Sequence, residues 1–178
     1  MDLRSALSDS SRAVVDMAAE AIGNNPEYFK LAINLTFEDN YPLSMRSARV
    51  VQVCCEKYPK LLLPYIEEIV DKLISFKVEG VKRSLLKLFR DSINLKELKQ
   101  SGQLACICFD LLINPKQGIA ARNYSLDILL KIAEFEPDLK TEIISIVENM
   151  LYEDSVGLRN KAGRLLKKHN RYQGSVVR

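Results

Sequence analysis

Apolar residues return every three or four positions along almost the whole chain, and Gly, Asn or Pro closes most of the runs. That period belongs to amphipathic helix, since a half-buried strand would alternate in twos. The stretch 43–76 shows the unit most clearly. It reads LSMRSARVVQVCCEKYPKLLLPYIEEIVDKLISF: one helix, a break at Tyr58-Pro59, then a second helix.

The same reading extends in both directions. A short helical fragment is predicted at 2–7, followed by a helix over 12–22 with Ser10-Ser11 as its N-cap signal and Gly23-Asn24-Asn25-Pro26 as its stop. Helices then follow at 26–37, 43–57, 61–76, 80–91, 96–113, 118–134, 138–151 and 156–169. Pro64 is placed in the first turn of its helix, where a missing N–H costs little. The total is nine or ten helices with short connections and no sustained strand pattern.

Superimposing the second helix of each pair exposes an internal repeat. A basic residue stands near each start: Arg12, Arg46, Lys82, Arg122 and Arg159. An acid, Asp9, Glu79 or Asp154, lies a few residues upstream of three of them. Pro26, Pro59 and Pro137 mark the start of several first helices. The five bases stand 34 to 40 residues apart, and two helices recurring at such a period signal an α-solenoid.

The chain resembles the HEAT/armadillo-like superfamily. The steps Asp154-Ser155-Val156-Gly157-Leu158-Arg159 and Glu79-Gly80-Val81-Lys82, with the boundary prolines, carry the resemblance over residues 8–170. The stretch 94–136 departs from it, being longer and lacking the upstream acid. The first unit lacks a full first helix. The resemblance implies an all-α fold, a right-handed α-α superhelix of four to five helix pairs. It also implies a ladder between the recurrent bases and acids of adjacent repeats. The domain expected is residues 1–170, with a frayed basic tail at 171–178.

Charge adds an asymmetry. The net charge is +3, yet residues 159–178 carry seven bases and no acid, so the rest sets 19 bases against 23 acids. A mildly acidic body precedes a basic end. The 178 residues are 47% hydrophobic without Trp, enough for one sizeable core. Arg4, Asp9, Arg12, Asp16 and Glu20 interrupt the first helical segment, so no secretory apolar region is present. No uncharged apolar run approaches the roughly 20 residues of a membrane span. A cytoplasmic location is expected.

Candidate chemistry is sparse. Cys54-Cys55 and Cys106-x-Cys108 lie in helical segments, where such spacings point the thiols apart. Buried reduced thiols without metal are expected, at least three of the four. The single His169 sits among bases with no orienting acid in reach of the sequence. Neither a glycine-rich phosphate loop nor a paired C-x-x-C occurs. Glu67, Glu68 and Asp71 read as a solvated helix face. No catalytic, cofactor-binding or metal-ligating residue is assigned.

One surface stands out. Arg83, Lys87 and Arg90 fall at i, i+4 and i+7, a single stripe along a second helix. Arg46 and Arg49 precede it by one repeat, and Lys161, Arg164 and Lys168 follow two repeats later. In the family the second helices line the concave surface. The intervening set Asn123, Asp127, Lys131 and Glu134 is near neutral and interrupts a continuous track. The expected function is a non-enzymatic module binding a macromolecular partner on its concave surface, a protein in first place, with an acidic surface and a nucleic acid among the candidates and no membrane. The alternative is a nucleic-acid-binding protein related to alkylpurine DNA glycosylases. Tyr124 with Asp127 and Arg122 would be its nearest approach to a base-recognition set.

Overall fold

Capping chemistry places the helix starts. In the computed structural model, which describes the backbone of residues 2–153 and 155–176 and the side chains as far as Lys168, several starts are closed by a side chain. Asp2 accepts from the N–H groups of Arg4 and Ser5, opening α1 (Leu3–Ala6). Ser11 accepts from Val14, opening α2 (Arg12–Ile22). Asn25 accepts from Glu27 and Tyr28, opening α3 (Pro26–Phe37) with Pro26 in its first turn. Each satisfies amides that have no partner inside the helix. Gly23, at φ 53°, ends α2 in a conformation costly for other residues.

The remaining helices are α4 (Leu43–Lys57), α5 (Ile66–Lys72), α6 (Glu79–Ser92), α7 (Ser101–Ile113), α8 (Ile119–Ile132), α9 (Leu139–Asn149) and α10 (Val156–Val176). Two 3-10 turns, Pro59–Tyr65 and Met150–Tyr152, complete the set, and there is no strand among the described residues. The peptide between Tyr41 and Pro42 is cis.

Three sequence expectations are corrected. A continuous helix over 61–76 does not form: Pro59–Tyr65 is a 3-10 helix and α5 starts only at Ile66. Pro64 lacks an N–H and disfavours α geometry at Leu63, so the tighter turn absorbs it. Residues 96–100 are turns rather than the start of α7. There the Asn94 side chain accepts from the Lys96 N–H at 3.3 Å, a local bond that competes with helix. The helix expected over 138–151 ends at Asn149 and tightens into Met150–Tyr152. At the other end of the chain, α10 carries helical backbone to Val176.

The chain forms two compact units, Met1–Ile107 and Cys108–Arg178, whose boundary falls inside α7. In the first, α4 is central, packing on its antiparallel partner α3 and on the second helices α2 and α6. Its core holds Val15, Ile22, Phe29, Ile33, Val51, Leu62, Ile69, Leu85 and Phe89, all essentially inaccessible. Each such side chain contributes roughly 1.5–3 kcal/mol of burial. In the second unit, α9 packs on α8 and α10. Leu126, Leu129, Ile132, Ile143, Val147, Met150, Leu158 and Ala162 fill its core.

Candidate functional site

The second helices α4 and α6 lie side by side and carry most of the cationic positions singled out in the first unit. Their lower rows are committed to the fold. Arg46 donates from Nη1 to the carbonyls of Leu7 at 2.8 Å and Ser8 at 2.7 Å, and from Nε to Ser10 Oγ at 3.2 Å. Arg49 donates to the Ser10 carbonyl at 2.9 Å. Both therefore clamp the turn between α1 and α2. Carbonyls around a helix end have no intrahelical partner, and an Arg fork matches them well.

The stripe on α6 is less uniform than its spacing suggests. Val81, Leu85, Leu88 and Phe89 are buried, and Arg83 is exposed on the opposite side. Lys87 and Arg90 are only half exposed. Lys87 leans toward Glu56 of α4 at 3.8 Å, and Arg90 donates to Asp91 at 2.6 Å. Lys87 is drawn toward the neighbouring helix and Arg90 toward Asp91 of its own, so exposure of one residue does not imply equal exposure of all three. Arg83 makes no hydrogen bond or ion pair among the described residues. Lys82, the ladder position, is buried.

Between α2 and α4 lies a cleft of about 290 Å³, lined in part by Arg12, Asp16, Glu20, Glu56 and Tyr58. Arg12 and Asp16 pair across one helical turn at 2.7 Å. Gln52 donates to Glu56 at 3.0 Å. Asp16 and Glu56 are thus matched by neighbours on the same surface.

In the second unit the ladder is clear. Arg122 is 5% exposed and donates to the Leu112 carbonyl at 2.8 Å, and to Glu153 at 2.5 and 3.1 Å. The hydrogen bond from Arg122 holds the Glu153 carboxyl below its ordinary range. Arg159 donates to the Glu153 carbonyl at 2.5 Å. Glu153 thus provides the acid for this rung. Asp154, which the sequence pattern put there, lies outside the described residues. Lys161 is likewise engaged, with Asp127 at 2.7 Å and the Asn123 carbonyl at 2.7 Å. Arg164 and Lys168 are exposed on α10, and so is Lys167. Of the Tyr124, Asp127 and Arg122 set, Arg122 and Asp127 are both engaged inside the fold.

The first unit has a different rung, which the sequence did not signal. Asp39, at φ 50°, accepts from the backbone N–H of Lys77 at 2.6 Å and of Val78 at 2.9 Å. An Asp after a helix is too common a turn residue to reveal a partner almost forty positions away.

Cys54, Cys55 and Cys108 are buried and Cys106 is exposed, and none is disulfide-bonded. Burial pushes the Cys54 and Cys108 thiols up to about 12, and raises Cys55 further. No group of three or more His, Cys, Asp or Glu among the described residues is placed to hold a metal ion. His169's side chain lies outside the described residues. On the polar face of α5, Glu68 pairs with Lys72 at 2.7 Å, and Asp71 accepts from Gln103 at 2.8 Å. No helix among the described residues is long and apolar enough to cross a membrane.

A family model described as a HEAT repeat domain matches residues 3–169. No curated protein and no solved structure matches the chain.

Proposed function

The chain belongs to the HEAT repeat family, and from that premise we propose that it is a non-enzymatic module binding an acidic protein segment through the polar surface of its second helices. HEAT repeats are in general protein-interaction modules, because stacked helix pairs offer an extended surface instead of a deep pocket. Arg83 is the observation that carries the reading. It is an exposed guanidinium that makes no hydrogen bond or ion pair among the described residues. Lys87 and Arg90 flank it, paired with Glu56 and Asp91. Arg46 and Arg49 are taken up by the carbonyls of the turn between α1 and α2. In the second unit Lys161 is taken up by Asp127 and the Asn123 carbonyl, while Arg164 and Lys168 are exposed cations of that unit.

The test replaces Arg83, Lys87 and Arg90 together by Ala. The probe is a fluorescein-labelled peptide of ten glutamates, titrated at two salt concentrations. The wild type should bind it more weakly at high salt. The triple variant should keep its melting temperature and lose most of the binding. Equal binding by both proteins would refute the assignment. A generic DNA duplex serves as the competing probe. Steeply salt-dependent binding of the duplex in preference to the peptide would favour the nucleic-acid alternative.

A further inference from the structure

Ser10 sits where two guanidinium groups meet. Its hydroxyl accepts from Arg46 Nε at 3.2 Å, and its carbonyl accepts from Arg49 Nη1 at 2.9 Å. Both cations come from α4 and both are half-buried, so packing holds them at this turn. Arg49 uses a single N–H donor on its bond to Ser10, and the rest of its fork meets no protein acceptor among the described residues. A neutral hydroxyl at 3.2 Å is a poor match for two such cations. They suit a charged group with several oxygens.

The neighbouring residues single out Ser10. Residues 7–11 lie outside any helix, and Ser8, Asp9, Ser10 and Ser11 are exposed, so an enzyme can reach this backbone. The Ser11 hydroxyl caps α2, accepting from the Val14 N–H, and it also bonds Asp9. A bulky group on Ser11 would disturb that cap. Ser8 meets Arg46 through its carbonyl. Asp9 is the acid of the turn, and its carboxylate accepts the Ser11 N–H at 2.6 Å. The hydrogen bonds from Ser11, and more weakly the charge of Arg46, hold it below its ordinary range. The Ser10 hydroxyl is therefore the one in this turn that faces a guanidinium and has no capping duty.

We infer that Ser10 is a phosphorylation site for a protein serine/threonine kinase, and that its phosphate locks the N-terminal turn onto α4 through Arg46 and Arg49. In the transfer, Ser10 Oγ attacks the γ-phosphorus of a nucleoside triphosphate. An Oγ–P bond forms, the P–O bond to the nucleoside diphosphate breaks, and the hydroxyl proton passes to a base of the kinase. The product carries about −1.5 to −2 charge at neutral pH and three strong acceptor oxygens. Against two guanidinium groups it gains roughly one to three charge-assisted hydrogen bonds. The segment it fastens is slight. α1 is a single turn, held by the buried Leu3 and Leu7 and by an exposed ion pair from Arg4 to Glu38. A segment with so few contacts opens locally at small cost, so a few added bonds change how often it opens.

The experiment installs phosphoserine in place of Ser10 in the full chain by codon suppression. Amide exchange over residues 3–7 should slow roughly tenfold relative to the unmodified chain. Followed by its phosphorus chemical shift, the phosphate should titrate clearly below the usual value of about 6, because adjacent cations favour the dianion. Arg49→Ala loses one carbonyl bond, and it should remove much of both effects while circular dichroism shows the fold intact. Ser10→Ala should leave the exchange of the unmodified chain nearly unchanged, which separates the phosphate from the hydroxyl. In a second arm the chain is incubated with labelled ATP and an extract of the cells that make it. Wild type should take up label, and Ser10→Ala should lose most of it. Unchanged or faster exchange in the phosphorylated chain, a phosphate titrating at about 6 or above, effects untouched by Arg49→Ala, or equal labelling of Ser10→Ala would each overturn the inference.

Discussion

Asp39 and Val78 come from successive repeats, and the Asp39 carboxylate accepts the Val78 N–H at 2.9 Å while also taking the Lys77 N–H at 2.6 Å. Val78 is the N-cap of α6 and provides no side-chain cap of its own. The carboxylate of the preceding turn thus secures the amides that lead into the helix, with the right sign for its dipole.

This relationship sets an order for three substitutions. Asp39→Asn keeps an acceptor and tolerates the left-handed backbone at φ 50°. Asp39→Gly keeps the backbone and loses the acceptor. Asp39→Ala loses both. The expected destabilisation rises in that order, to about 2 kcal/mol for Ala. Urea unfolding followed by circular dichroism checks it, and an Ala variant as stable as the Asn variant would contradict the capping role.

The Arg122–Glu153 rung makes stability in the second unit depend on pH. The Glu153 pKa is lowered in the fold from 4.5, chiefly by the Arg122 hydrogen bond. A depressed carboxyl stabilises above its unfolded pKa, and that contribution disappears as pH falls through the folded value. Wild-type stability should therefore decline below about pH 4.5, more steeply than that of Glu153→Gln. Arg122→Ala should cost more, roughly 3 kcal/mol at neutral pH, because it orphans both the Leu112 carbonyl and the carboxylate. Thermal melts from pH 3 to 7 separate the two effects.

How far the sequence reached depends on the range of the interaction. α3 and α4 have the limits their periodicity and prolines imply, because caps and breakers act within a few residues. The 3-10 turn at Pro59–Tyr65 was missed because apolar spacing alone does not register that α geometry is disfavoured at Leu63 before Pro64. Among the candidate binding residues, the pattern marked Arg46, Arg49, Arg83 and Lys161 alike as surface cations. Only the fold separates them. Three find carbonyls across a repeat boundary, and Arg83 finds none.

Gly80 allows α6 to approach α4 closely. A Cβ there would collide with Cγ of Met45 and lie 2.8 Å from its Sδ. Ala is worth about 1 kcal/mol over Gly inside a helix, but the collision costs roughly 1–3 kcal/mol. Gly80→Ala should therefore destabilise the wild type by about 1 kcal/mol. In a Met45→Ala background only the 3.2 Å approach to its Cβ is left, and the same change should cost clearly less. A double-mutant cycle reads this directly, and additive effects would show that the contact is not limiting.

The last prediction concerns the thiols. Cys106 is exposed, whereas Cys54, Cys55 and Cys108 are buried in helix interfaces. A thiolate is the reactive form, and burial holds Cys54 and Cys108 up to about 12. With Ellman's reagent at pH 8, one thiol should react rapidly and three should lag until the fold opens. Raising the pH to 10 should not release the slow three, since the folded thiols remain protonated there. Adding urea past the unfolding midpoint should release them together with the loss of helix signal. Cys106→Ser should abolish the fast phase alone and leave the melting temperature nearly unchanged, because the side chain faces solvent. Two fast thiols in the native protein would mean that one of these interfaces opens more readily than its packing implies.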